Sequence, residues 1–161
     1  MRLAREKGTL APDPTSETGA IAVLAVSAGK ETYGFPLSAV RQIVAPLPVA
    51  EVPRAAPSVL GVISVRGQII TLLDLPKVLK LHVDQPEPYA RVLLVDNGEE
   101  LLGVAVDRVI QVFRLEPRQI EYSSGMVADL SDYVVGIGRV ASADGRERML
   151  ILIDPVSLLG G

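Results

Sequence analysis

A single ungapped spacing of 69 residues lays one stretch of this chain over another: Val23-Leu24-Ala25-Val26 falls on Val92-Leu93-Leu94-Val95. The same spacing brings Gly29 onto Gly98, Glu31 onto Glu100, Gly34 onto Gly103, Val40 onto Val109, Gln42 onto Gln111 and Ile43 onto Val112. Apolar, glycine and polar positions that recur together in this way mark one supersecondary unit built twice. A second match follows in each copy. Gly61-Val62-Ile63, Arg66-Gly67-Gln68 and Leu72-Leu73-Asp74 resemble Gly136-Ile137-Gly138, Asp144-Gly145-Arg146 and Leu152-Ile153-Asp154. There the spacing grows from 75 to 80, which predicts a longer hairpin loop in the second copy.

Each copy reads as short strands separated by turns. The chain has 22 Val and 10 Ile among its 161 residues but six aromatic side chains, so its core is aliphatic and β-branched. Asn97-Gly98 between two apolar runs predicts a two-residue type I′ hairpin, and Asp144-Gly145 a weaker one. Helical signals are brief. Pro76–Leu81 follows Asp74, and Pro155–Leu159 follows Asp154, each aspartate standing where an N-cap would, with Gly160 as a stop. About five strands per copy suits a small SH3-like barrel, which closes its own edges. The expected fold class is therefore mostly β, two five-stranded SH3-like barrels with short helices. Residues 1–19 lack apolar periodicity and read as a disordered tail. Residues 20–159 read as a single domain of two repeated halves, approximately 20–89 and 90–159, with exchange of strands between the halves left open.

The side-chain inventory removes most chemistries. There is no cysteine and one histidine, His82, so disulfide scaffolds, thiol nucleophiles and most metal sites are out of reach. Asp74 and Asp154 occupy equivalent points of the repeat, as an aspartic-hydrolase dyad would. They are followed by Leu75-Pro76 and Pro155-Val156 rather than Thr/Ser-Gly, so capping explains them better. Ser123-Ser124-Gly125 reads as loop, and no glycine run opens a long helix to cradle phosphate. No catalytic residues, cofactor or metal are expected. A net charge of −3 and few aromatics argue against nucleic acid. The apolar stretch Ala20–Val26 is too short to span a bilayer, and no apolar segment follows the charged N-terminus, which points to the cytoplasm.

Arg66-Gly67 sits between almost wholly aliphatic strands. It reads either as a solvated turn or as a cation presented at a rigid hairpin tip. In order and spacing, Tyr33-Gly34-Phe35-Pro36-Leu37, Val40-Arg41-Gln42-Ile43, Val52-Pro53-Arg54-Ala55-Ala56-Pro57, Gly61-Val62-Ile63-Ser64-Val65-Arg66-Gly67 and Leu73-Asp74-Leu75 resemble the CheW-like family of bacterial chemotaxis adaptors. So do Gly103–Val109 and Arg148–Leu152, and the likeness spans nearly all of residues 20–159. Pro36, Gln42 and Ser64-Val65 stand where that family usually has Asp, Glu and Asn-Leu.

The resemblance implies two intertwined five-stranded SH3-like barrels over a shared core, and a non-enzymatic cytoplasmic scaffold. Its implied partners are the cytoplasmic tip of methyl-accepting chemoreceptors and the regulatory domain of a CheA-type histidine kinase, which has the same fold and pairs barrel to barrel. No nucleic acid and no direct membrane insertion are implied. Matched residue by residue, Val40, Ile43, Gly61, Arg66 and Gly67 fall at partner-binding positions. Val40 and Ile43 would offer an aliphatic groove to a receptor helix, although their recurrence as Val109 and Val112 suits a structural role equally. A stand-alone modulator or decoy of a kinase regulatory domain is the alternative.

Overall fold

In the computed structural model of the chain, residues 19–122 and 132–158 are described. The expected tail, apart from Gly19, the Ser123-Ser124-Gly125 loop and the Gly160 stop lie outside the described residues. Eleven strands are assigned among them: β1 (Ile21–Ala28), β2 (Glu31–Pro36), β3 (Val40–Val44), β4 (Val59–Val65), β5 (Gln68–Asp74), β6 (Arg91–Asp96), β7 (Leu101–Val106), β8 (Arg108–Leu115), β9 (Ile120–Tyr122), β10 (Val134–Ala141) and β11 (Glu147–Ile153). A one-turn helix, α1 (Leu75–Val78), begins after Asp74, whose side chain accepts a bond from the Lys77 N–H at 3.2 Å. Asp154 does the same for a 3-10 turn over Pro155–Ser157, accepting from the Val156 N–H at 3.2 Å. Both aspartates are caps.

The strands form two sheets, ordered β8-β1-β2-β11-β10-β9 and β3-β6-β7-β5-β4. The hairpin β1–β2 thus lies between β8 and β11, and the hairpin β6–β7 lies between β3 and β5. Each copy of the repeat gives its first hairpin to the sheet formed by the rest of the other copy. Each donated hairpin is joined antiparallel on one side, β1 with β8 and β6 with β3, and parallel on the other, β2 with β11 and β7 with β5. The parallel joins are locked by a reciprocal pair of contacts. A Cβ on Gly34 would meet Leu152 at 2.9 Å, and one on Gly103 would meet the equivalent Leu72 at 3.2 Å.

The donated strands are buried on both faces, which is why they are near-continuous apolar runs rather than alternating ones. Along β1, Ile21, Val23 and Ala25 fill the interior of the first sheet, while Leu24, Val26 and Ala28 enter a core shared by both. Along β6, Val92 and Leu94 fill the second sheet, and Leu93 and Val95 join the shared core. Tyr33, buried in that shared core, has a hydroxyl with no hydrogen-bond partner among the described residues, and burial pushes its phenol well above the ordinary range.

The turns differ from the sequence expectation. The two-residue turns with positive φ at both central positions are Gly29-Lys30 (58° and 79°) and Arg66-Gly67 (50° and 82°). Asn97-Gly98 instead opens a longer loop from Asp96 to Leu101. Asn97 is drawn inward. Its amide donates to the Leu158 carbonyl at 2.8 Å and its side-chain oxygen accepts from the Glu99 and Glu100 N–H groups. A buried Asn, bonded through both its side-chain nitrogen and oxygen, replaces the exposed turn residue. In the second copy the β10–β11 loop runs from Ser142 to Arg146, longer than Arg66-Gly67 as the spacing requires.

Candidate functional site

The edge strand β3 carries two of the residues singled out in the sequence. Val40 and Ile43 are three apart, so a regular strand would put them on opposite faces. A bulge at Arg41 changes this: Val40 pairs with Val95 and Ile43 with Leu93, both of which face the shared core. Val40 packs against that core, and Ile43 is 42% exposed. Together they form an aliphatic strip where the shared core reaches the surface. The strand β8 repeats the device. Its irregularity brings Val109 opposite Val26 and Val112 opposite Leu24, with Val109 packed on the core and Val112 45% exposed.

Arg66 and Gly67 form the β4–β5 turn at the end of the second sheet. Both are exposed, and Arg66 holds a left-handed conformation. Its Nη2 donates to Gln42 Oε1 at 2.8 Å, tying the hairpin tip to β3, the strand at the far edge of the same sheet. Gln42 pairs with Leu94, which fills the second sheet, so Arg66 meets β3 on the face opposite the Val40 and Ile43 strip. Arg41, the bulged residue, points its guanidinium elsewhere, donating to the Ser38 carbonyl and pairing with Asp96 at 2.9 Å. Bonds from the Gly98 N–H and from Arg41 hold the Asp96 carboxyl below the usual carboxylate range.

Gly61 does not share this surface. It is buried at a bulge with φ of 148°, and a Cβ there would lie 2.4 Å from the Ala50 carbonyl oxygen. Its lack of a side chain lets the segment Val49-Ala50 bridge to Val62. Gly136 repeats this role, since its Cβ would lie 2.4 Å from the Glu121 carbonyl oxygen on β9.

Two exposed apolar residues escaped the sequence reading. Ile69 is 66% exposed and Met149 is 54% exposed, and they occupy equivalent positions on β5 and β11. The signal was present in Gln68-Ile69-Ile70, where alternation must turn one isoleucine outward. Around Met149 the charges differ from those around Ile69. Arg139 is flanked by Glu121 at 3.1 Å and Glu147 at 3.6 Å.

No group of three or more metal-binding side chains occurs among the described residues. No helix among them is long and apolar enough to cross a membrane. What the arrangement supplies is a surface: an aliphatic strip on an edge strand, a cation bonded to that strand's other face, and exposed apolar residues on both sheets.

A family model described as the CheW-like domain matches residues 22–161. The chain belongs to the CheW-like family. Among curated relatives, the chemotaxis protein CheW of Helicobacter pylori is 27% identical over 111 residues, covering 69% of this chain and 67% of the relative. That of Klebsiella aerogenes is 28% identical over 132 residues, covering 81% and 76%. The crystal structure of the scaffolding protein TtCheW from Thermoanaerobacter tengcongensis superposes with a TM-score of 0.72 at 24% identity, over 83% of this chain and 88% of that one. The CheW-like fold accounts for the two sheets and for the shared core between them.

Proposed function

We propose that this chain is a non-enzymatic cytoplasmic adaptor that couples chemoreceptors to a CheA-type histidine kinase. The observation that carries the proposal is the strip of Val40 and Ile43 where the shared core meets the surface. A strip of this kind suits one apolar face of a receptor helix, read as anchors a turn apart. Gly61 acts through the backbone, letting the chain before β4 lie close. Arg66 braces β3 from its other face through Gln42, and Gly67 completes that turn. The kinase's regulatory domain, of the same fold, pairs with the exposed rims marked by Ile69 and Met149. An adaptor inside an array must exchange partners, which favours modest apolar patches over one large obligate interface.

The test uses purified components in calorimetry. The full chain should bind a receptor-tip fragment and, separately, the kinase regulatory domain. Ile43→Lys should abolish the first and leave the second. Loss of neither, with the variant folded, removes the groove assignment.

A further inference from the structure

Asn97 is the chain's single asparagine, and Gly98 follows it. None of the adaptor surfaces uses this pair. Chemically it is the most labile setting an asparagine can have, because a following glycine leaves its own amide nitrogen unhindered to attack the side-chain carbonyl carbon. The structure holds every part of that reaction in place. The nucleophile would be Gly98 N, and its N–H donates to Asp96 Oδ1 at 2.7 Å. An N–H bonded to a carboxylate keeps its proton and is a poor nucleophile. The electrophile would be Asn97 Cγ. Its nitrogen, the leaving group, donates to the Leu158 carbonyl at 2.8 Å, and the side chain is 3% exposed. The Glu99 and Glu100 N–H groups donate to Oδ1 at 2.9 and 2.8 Å, polarising the carbonyl, but ring closure must still expel the nitrogen that Leu158 holds. The hairpin itself does not demand this residue. Ala28 stands at the equivalent position of the first copy and is equally buried.

We infer that Asn97 is a spontaneous deamidation site that the fold keeps closed, and that its conversion is an irreversible record of the β6–β7 turn having opened. Once the turn opens, Gly98 N gives up its proton to solvent and bonds to Asn97 Cγ. The bond from Cγ to the side-chain nitrogen breaks, and that nitrogen leaves, protonated, as ammonia. The product is a succinimide ring. Water adds to one of its two carbonyls and opens it, leaving aspartate or, by the other cleavage, isoaspartate. Nothing is oxidised or reduced, and water is the only co-reactant. Neither product restores the turn. A carboxylate only accepts hydrogen bonds, so it meets the Leu158 carbonyl with nothing to donate. Buried there, its charge is unpaired, and Asp96, Glu99 and Glu100 are its neighbours in the chain. Isoaspartate also lengthens the main chain by one methylene. Leu158 packs in the shared core, so the lost bond unfastens the C-terminal turn from the β6–β7 hairpin.

The test is peptide mapping by mass spectrometry of the full chain incubated at mildly alkaline pH. Conversion is read as the mass gained when OH replaces NH2 in the peptide that holds Asn97. It should be at least about tenfold slower in the folded chain than in the chain unfolded by urea, because only the opened fraction reacts. Asp96→Ala frees the Gly98 N–H and should speed conversion in the folded chain severalfold. Arg41→Ala removes the ion pair to Asp96 but not the Gly98 bond, and should leave the rate unchanged. Equal or faster conversion in the folded wild type overturns the inference, since the N–H groups on Oδ1 would then be promoting ring closure. So does a folded Asp96→Ala that reacts no faster than the wild type or than Arg41→Ala. If Asp96→Ala does not fold, the ratio of folded to unfolded rates in the wild type decides alone. The product is tested separately. The deamidated chain, isolated by its added negative charge, and Asn97→Asp should each melt at least about 3 °C below the wild type at neutral pH. Failure of Asn97→Asp to fold carries the same meaning. Melting at the wild-type temperature would show that the product does restore the turn, and would overturn the irreversible record.

Discussion

Leu72 and Gly103 are partners in the parallel pairing of β5 with β7, and the leucine's Cδ1 stands 3.2 Å from where a Cβ on Gly103 would be. Leu152 and Gly34 repeat the contact between β11 and β2. Each contact joins a strand of one repeat to a strand of the other. Residues 20–89 alone should therefore not fold, because β1–β2 would lose both neighbours, β8 and β11. Proton–nitrogen NMR of that fragment should be poorly dispersed. A dispersed spectrum with cooperative melting would contradict the exchange.

The two glycines singled out in the β4–β5 region should behave differently. Gly61→Ala drives a methyl into the Ala50 carbonyl and should cost about 2–3 kcal/mol, the upper part of the range for overpacking, because backbone cannot yield. Gly67 also has positive φ, but nothing lies within 4 Å of its Cβ position. Gly67→Ala should cost about 1 kcal/mol, the conformational penalty alone. Urea unfolding of the two variants checks the difference.

Tyr33 offers a stabilising substitution. Its buried hydroxyl lacks a partner among the described residues, so it carries a desolvation cost with no bond there to offset it. Tyr33→Phe should hold or raise stability, by up to about 1 kcal/mol. A loss of more than 1 kcal/mol would mean the hydroxyl is bonded in solution.

Acid should weaken the fold partly through Asp96. A carboxyl held below its ordinary range adds stability that is present above about pH 4 and is lost as pH falls through its lowered value. Asp96 is partly exposed, so the effect is small and screened by salt. Asp96→Asn should flatten the stability profile below about pH 4 and leave it parallel to the wild type at neutral pH. Melting curves from pH 2 to 7 at low salt measure this.

On β3, position decides what a lysine does. Val40 packs on the shared core, so Val40→Lys should cost several kcal/mol of stability unless the ammonium reaches water. Ile43 is 42% exposed, and Ile43→Lys should melt within about 1 kcal/mol of the wild type. Arg66→Ala should be similarly mild, since it removes one exposed bond to Gln42. Thermal melts separate these cases before any binding is measured.

The sequence carried the apolar runs of β1 and β6, the capping aspartates and the repeat itself, because each leaves a local mark. Strand exchange left none. Gly34 could pack on Leu72 or on Leu152 with equal local sense, since the repeat makes the two leucines equivalent, and three-dimensional closure chooses between them. The Asn97 turn was misread because a buried bond to the distant Leu158 carbonyl outweighs the local preference of Asn-Gly. The common face of Val40 and Ile43 depends on a bulge at Arg41, which strand periodicity does not reveal. Arg66 was legible as a turn residue, but its bond to Gln42 spans the sheet and required the fold.

The most direct test of the adaptor role is kinase activity in a reconstituted array of receptor cytoplasmic fragments on vesicles, CheA-type kinase and this chain. Kinase phosphorylation should rise severalfold when the wild-type chain is added to receptor and kinase, and should stay at the two-component level with folded Ile43→Lys. Equal kinase activity with and without the wild-type chain would contradict the coupling of receptor to kinase by this protein.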